Sequence, residues 1–224
     1  MRPYYEAYDE RYKAVHEKGV SWSSDQRTPI VLQTLEKYGV DPDAPVLEIG
    51  CGEGRDAGSV LERGYRLLAT DVSGEAISYC RAAYPKYAAQ FQVLDCLRDA
   101  HPARYGFLYA VAVIHMLVPD ADRDAFYAFI REHLTDDGLA LICTMGDGET
   151  ELQTDPATAF ELQERSHESG KMIVAGTSCR MVSFETFEDE LARNGLQPVE
   201  LGITESLPDF DSLMYAVVRR IPKE

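Results

Sequence analysis

The sequence contains no run of lysine and arginine, and its acidic residues outnumber its basic ones by 38 to 22, a formal charge of −16. Nucleic-acid binding draws its affinity from basic residues that displace counterions from phosphates, so DNA and RNA are poor partners for this chain. No apolar stretch approaches the roughly 20 residues that cross a bilayer, and the opening MRPYYEAYDERYK lacks the apolar centre of a signal peptide. A membrane partner is not expected. The five cysteines, Cys51, Cys80, Cys96, Cys143 and Cys179, are odd in number, scattered, and never spaced Cys-x-x-Cys. That pattern argues against a disulfide framework and for a reducing, cytoplasmic setting. The five histidines show no metal-ligand spacing with cysteine or carboxylate, so no metal is expected. Internal repeats, low-complexity tracts and an inter-domain linker are also missing.

What is present is ordinary in bulk: of 224 residues, 45% are hydrophobic and 27% charged, enough apolar side chain for a sizeable core. From Pro3 to about His16, Tyr4, Tyr8, Tyr12 and Val15 share one helical face, which reads as a docking helix rather than core. After the polar loop GVSWSSDQRTP, which holds the single tryptophan, Trp22, Pro29 opens a second amphipathic helix that Gly39 stops. Val46 to Ile49 reads as a first strand, followed by a glycine cluster and a helix to about Arg63. Strand Tyr65–Thr70, helix Glu75–Ala83, strands Phe91–Leu94 and Phe107–Val113, helix Arg123–Leu134 and strand Leu139–Thr144 continue the alternation. That rhythm specifies an α/β, doubly wound parallel sheet in a single domain over residues 1–224, with residues 1–40 as an N-terminal helical cap.

The rhythm breaks over residues 146–182. This long insertion carries a helix signal at Asp155-Pro156 with Ala159, Phe160 and Leu162, and two β-like runs, Lys171–Val174 and Ser178–Val182. Long insertions of this kind are usually functional, and it reads as a lid. Ser183 then caps a helix Phe184–Arg193 that Gly195 ends. The runs Pro198–Thr204 and Ser212–Arg220 lie too close together for a helical crossover, so the sheet is expected to end in an antiparallel pair.

Between the first strand and helix stands Val-Leu-Glu48-Ile-Gly50-Cys51-Gly52-Glu-Gly54-Arg55, a glycine-rich turn that lets a ligand approach the backbone closely. It reads G-x-G-x-G, whereas a dinucleotide fingerprint requires Gly or Ala at position 55, where Arg55 stands. Glu48 at a strand end would repel a pyrophosphate and welcome a cationic sulfonium or amino group. Asp71 stands at the end of the second strand, 23 residues after Glu48, where it can take both hydroxyls of a ribose.

These motifs resemble the class I S-adenosylmethionine-dependent methyltransferases over about Val46 to Thr144. The resemblance implies a Rossmann-like seven-stranded sheet, mostly parallel with a C-terminal antiparallel strand and helices on both faces. It implies S-adenosylmethionine as cofactor, with Glu48, Gly50, Gly52 and Gly54 at its methionine part and the backbone turn, and Cys51 and Arg55 also among the expected cofactor-binding residues. By the same resemblance Asp71 is the ribose carboxylate with Val72 under the adenine, and Asp95 with Cys96 lies near the adenine amino group. The fourth motif falls on Val111–His115, which adds Val113 to the cofactor site and His115 as candidate general base. The turn and the N-terminal helices look most like the small-molecule branch, near thiopurine- and tellurite-type enzymes. The Asn/Asp-Pro-Pro-Tyr signature of amino-methylating DNA enzymes is replaced by Ala-Val-Ile-His. The acceptor atom therefore stays open among oxygen, nitrogen and sulfur. Trp22, His115, Met145 and Arg180 are the expected acceptor-pocket residues. Two rivals stand beside methyl transfer: a non-catalytic cofactor-binding module, and a nicotinamide-dependent oxidoreductase, which Arg55 and Glu48 disfavour.

Overall fold

The computed structural model describes residues 2–24, 26–204 and 212–222. Its helices are α1 (Ala7–His16), α2 (Pro29–Lys37), α3 (Arg55–Glu62), α4 (Gly74–Ala83), α5 (Asp120–His133) and α6 (Phe184–Arg193). In chain order the first five strands are β1 (Val46–Ile49), β2 (Leu67–Asp71), β3 (Phe91–Val93), β4 (Tyr105–Val111) and β5 (Leu134–Met145). Four short strands follow in the insertion, β6 (Leu152–Gln153), β7 (Leu162–His167), β8 (Gly170–Ala175) and β9 (Arg180–Met181), and β10 (Leu196–Thr204) and β11 (Leu213–Arg220) close the chain. One seven-stranded sheet has the order β10-β11-β5-β4-β1-β2-β3, and β11 runs antiparallel to both neighbours while β1 to β5 are parallel. This is the Rossmann-like methyltransferase fold that the sequence resembles. The connection from β10 to β11 lies outside the described residues.

The two-residue period of β1 sends Val46 to one face of the sheet and Leu47 and Ile49 to the other. Val46 belongs to the same buried core as Val31 and Leu35 of α2, Val60 and Leu61 of α3 and Ile77 of α4. Leu47 and Ile49 belong to the same buried core as Phe126 and Ile130 of α5 and Phe187 and Leu191 of α6. Each such fully buried aliphatic side chain stabilises the fold by roughly 1.5–3 kcal/mol. β1 is flanked in parallel by β2 and β4, with Glu48 beside Ala69 and Tyr109. The chain direction across the sheet reverses between β1 and β4, and such a switch point opens a crevice at the carboxyl ends of the strands.

Two segments depart from the sequence reading. The N-terminal segment starts with one 3-10 turn, Tyr4–Glu6, before α1, and Tyr5, Ala7, Arg11, Tyr12 and Val15 are buried, so it is core and not merely docked. The reason is non-local: Val15 packs on Met172 and Val174, while the Arg11 guanidinium donates to the carbonyls of Ala175 and Gly176. In the insertion, Asp155 caps only one 3-10 turn, Pro156–Thr158, accepting from the Ala157 amide. No helix continues from it, because Leu162 instead pairs with Ala175 in the β7–β8 hairpin. Elsewhere the differences are of a few residues, the largest being β5, which begins at Leu134 and shifts register before reaching Leu139. Ser183 does cap α6, accepting from the Thr186 amide. Among the described residues no helix is long and apolar enough to cross a membrane.

Candidate active site

At the end of β1 the backbone turns through Gly50 at φ +72° and Gly52 at φ +52°, left-handed conformations that favour glycine. A Cβ on Gly50 would collide with the Val113 side chain, and one on Gly52 would lie 2.8 Å from the Tyr12 hydroxyl. The crevice floor is therefore bare backbone. Gly54 faces Cys80, Tyr84 and Phe91 behind the turn and does not line the crevice.

Carboxylates surround this floor. Glu48 is buried and accepts a hydrogen bond from the Tyr109 hydroxyl at 3.0 Å. Burial, with Asp56 close by, holds its proton well above the usual carboxylate range. Asp71 accepts from the amides of Gly52 and Ser73, each at 2.8 Å, and burial raises it to about 6 despite those bonds. Asp95 accepts from the Tyr5 hydroxyl at 2.8 Å and the Leu97 amide at 2.9 Å. Asp56 accepts from the amide and hydroxyl of Thr28, both at 2.7 Å. Against these four acids Arg55 is, among the described residues, the one arginine in the crevice wall, which contains no described lysine. This set of acceptors suits a ligand with positive charge and hydroxyl or amino donors.

The opposite wall comes from β4. Ala112, at φ +56°, reverses the chain and donates its amide to Cys143 at 2.9 Å. A non-glycine residue in that region is uncommon and tends to occur at functional sites. The reversal seats Val113 against Gly50 and leads into the one-turn helix Ile114–Met116. Beneath it the fully buried Arg123 donates to the carbonyls of Ile114 at 2.8 Å and Leu117 at 3.1 Å. Arg123 is held in turn by both oxygens of Glu190, at 2.7 and 2.6 Å, and Tyr127 donates to the same carboxylate. His115 on this turn is buried, and burial with Arg123 pushes it down to about 4, so its imidazole is neutral near pH 7.

A second chamber adjoins the first and shares Tyr8, Trp22 and His115 with it. Arg11, Met145 and residues of the insertion form its other walls. Trp22 is fixed by Glu53, whose carboxylate accepts from the amides of Trp22 and Ser23 at 2.7 Å and contacts His16 at 2.9 Å.

Of the residues singled out from the sequence, Glu48, Gly50, Cys51, Gly52, Arg55, Asp71, Val72, Asp95, Cys96, Val113, His115 and Trp22 come together around the first chamber. Met145 lines the second. Arg180 lines neither, because its guanidinium is committed to the Val118 carbonyl at 2.8 Å and Asp120 at 2.6 Å. Sequence reasoning missed Arg11, Glu53 and Asp56. Only Arg11 left a trace, since Tyr8 three residues earlier puts an aromatic face beside it on a helix.

Residues 46–138 match a family model described as a methyltransferase domain. Over that segment the chain is similar to a methyltransferase domain. Among solved structures, the CcbJ methyltransferase from Streptomyces caelestis has a TM-score of 0.71 at 16% identity, over 99% of this chain and 100% of that one. The 1,6-didemethyltoxoflavin-N1-methyltransferase of Burkholderia thailandensis, with bound 1,6-didemethyltoxoflavin and S-adenosylhomocysteine, has a TM-score of 0.70 at 17% identity, over 99% and 92%. The glycopeptide N-methyltransferase MtfA complexed with S-adenosylmethionine has a TM-score of 0.64 at 20% identity, over 85% and 92%. At these identities the likeness is one of fold. No curated protein sequence matches the chain. The matched part of the methyltransferase domain runs from β1 into β5 and so contains the glycine turn, Asp71, Asp95 and His115.

Proposed function

We propose that the chain transfers a methyl group from S-adenosylmethionine to a small molecule seated in the second chamber. The observation that carries this reading is the acidic, glycine-floored crevice at the sheet's switch point, opening through a wall of Tyr8, Trp22 and His115 onto a separate chamber. When bound, the cofactor supplies a methyl group on a positive sulfur, which a lone pair of the acceptor displaces, leaving the C–S electron pair on sulfur. Gly50 and Gly52 admit the cofactor to the backbone, and a positive group beside Glu48 favours its ionised form over the protonated one that burial favours. Asp71 receives the ribose hydroxyls, and Asp95 with Cys96 faces the adenine end beside Val72. His115, neutral at pH 7, accepts a hydrogen bond from an acceptor O–H or N–H and takes the proton as the new bond forms, while a thiolate needs no such help. Most of the catalysis is then positioning of the two reactants and exclusion of water.

Residues 1–40 act as a cap and residues 146–182 as a lid over the acceptor. The toxoflavin-type and glycopeptide enzymes of the same fold act on small or modified molecules, which supports a small-molecule acceptor here. The charge of −16 speaks against nucleic acid, and five free thiols suit the cytoplasm. A nicotinamide dinucleotide is disfavoured, because its pyrophosphate would meet Glu48, Asp56 and Asp71. Calorimetry with S-adenosylmethionine and S-adenosylhomocysteine, followed by mass spectrometry of fractionated metabolites incubated with labelled cofactor, tests the reading. Binding of both and labelling of one metabolite are expected. A folded protein that binds neither, or that binds both and labels nothing, contradicts it.

A further inference from the structure

The two chambers differ in sign. The crevice has four acids against one arginine, whereas the second chamber has Arg11 and Arg165 against a single carboxylate, Glu168, among the described residues. In a chain of charge −16 this is a local reversal.

Arg11 is 5% exposed, so its charge is largely removed from water. Buried charges normally find a counter-charge, because desolvating an ion is expensive. Among the described residues Arg11 has none: Nε and Nη2 donate to the Ala175 carbonyl, Nη2 also to Gly176 and to the Thr177 hydroxyl, and every one of these acceptors is neutral. Its guanidinium lies against the rings of Tyr8 at 4.9 Å and Trp22 at 4.5 Å. Arg165 reaches the same Gly176 carbonyl, at 3.4 Å against 2.9 Å for Arg11, so two like charges converge on one oxygen. The remaining bond of the Arg165 guanidinium is to the neutral Gln163 amide oxygen at 2.8 Å. Among the described residues no carboxylate pairs with either arginine. Burial and the neighbouring Arg165 both weaken the hold of Arg11 on its proton, the direction expected of a cation lacking an anion.

We infer that the second chamber binds an acceptor carrying an oxyanion, a carboxylate or a phosphate, between Arg11 and Arg165. Two guanidiniums beside one site match the paired oxygens of either group. The acidic crevice repels the oxyanion, so the acceptor is held with its charged end outward and its other end toward His115. The inference rests on the proposed function only in naming the occupant of this chamber as the methyl acceptor.

Trp22 is the only tryptophan of the chain and stands in the wall between the chambers, so its fluorescence reports occupancy directly. The full-length protein is titrated with benzoate, phenyl phosphate and the neutral benzamide. Saturable change with one or both anions is expected, at least tenfold tighter than with benzamide, and the tighter anion identifies carboxylate or phosphate. Arg165→Gln, at an exposed position, should weaken the anion about tenfold and leave benzamide unchanged. Equal affinity for benzamide, no saturable change with either anion, or an Arg165→Gln protein with unaltered anion affinity overturns the inference. Calorimetry with S-adenosylhomocysteine on the same sample separates the two readings. Anion binding without cofactor binding retains this site and removes methyl transfer, and the converse removes this site alone.

Discussion

The Gly52 amide donates to the Asp71 carboxylate across 2.8 Å, joining the end of β1 to the end of β2 inside the crevice. The other oxygen of Asp71 accepts from Ser73, also at 2.8 Å. Asp71 therefore has a structural duty besides the ribose contact proposed for it. Asp71→Ala should weaken S-adenosylmethionine binding by about 1.5–3 kcal/mol, the range for hydrogen bonds to a charged group. It should also lower folding stability by about 1–3 kcal/mol, because two amides lose their acceptor. Calorimetry and urea unfolding measure the two effects, and unchanged affinity in a folded Asp71→Ala protein removes the ribose assignment.

The same carboxylate gives a pH signature. Its carboxyl titrates near 6 in the folded chain against 3.8 ordinarily, so the folded state keeps this proton longer than the unfolded state. The resulting stabilisation is complete below about pH 4 and disappears as pH rises through about 6, a change of about 3 kcal/mol. Relative to Asp71→Asn, the cofactor-free wild type should lose that amount between pH 4 and pH 7.5 in urea unfolding. A difference that does not vary with pH would place the folded carboxyl near its ordinary value.

His115 should leave no kinetic pKa between pH 5.5 and pH 9, since its imidazole titrates near 4. For an oxygen or nitrogen acceptor, His115→Ala should lower kcat about 10²-fold with cofactor affinity little changed, and His115→Gln should retain more activity by keeping a hydrogen-bond acceptor. Full activity of His115→Ala would shift the assignment to a sulfur acceptor held by positioning. A limb near pH 6.5 lost in His115→Gln would show an imidazole in contact with water.

Removing one member of the Arg123–Glu190 pair strands a fully buried charge. Arg123→Met alone should destabilise by about 3–5 kcal/mol, and Arg123→Met with Glu190→Leu should recover part of that loss. Urea unfolding of the single and double variants decides the point. A double variant less stable than the sum of the two single losses would mean that the pair is not what holds the turn of His115.

Replacing residues 155–178 by a short linker should spare cofactor binding and abolish transfer, because the segment walls the second chamber and not the first. The variant also uncovers Val15, so lower stability accompanies the change. Cofactor titration and turnover on the native acceptor are the measurements, and retained turnover would refute the lid.

The alternation of β-like and helical segments is a local property, and β1 shows how far it reaches. Val46 to Ile49 is apolar enough to be a covered strand, and its boundaries coincide with those in the structure. Glu48, Gly50, Gly52 and Asp71 were legible for the same reason, since strand ends and glycine turns are marked by the residues themselves. Arg11 was not. On the sequence it is one more charge on an amphipathic helix, and its burial depends on carbonyls at Ala175 and Gly176, more than 160 positions away. The helix signal at Asp155-Pro156 failed likewise, because pairing of Leu162 with Ala175 outweighs the propensity of a few residues.

By itself, then, the sequence determined the α/β architecture and the chemistry of the crevice, because hydrophobic period, glycine placement and strand-end carboxylates act within one β-α-β unit. Only the tertiary structure decided that α1 is core, that Arg180 turns away, and that Arg11 and Arg165 converge on the Gly176 carbonyl. Burial and like-charge proximity depend on which distant segments meet, and no local pattern records that meeting.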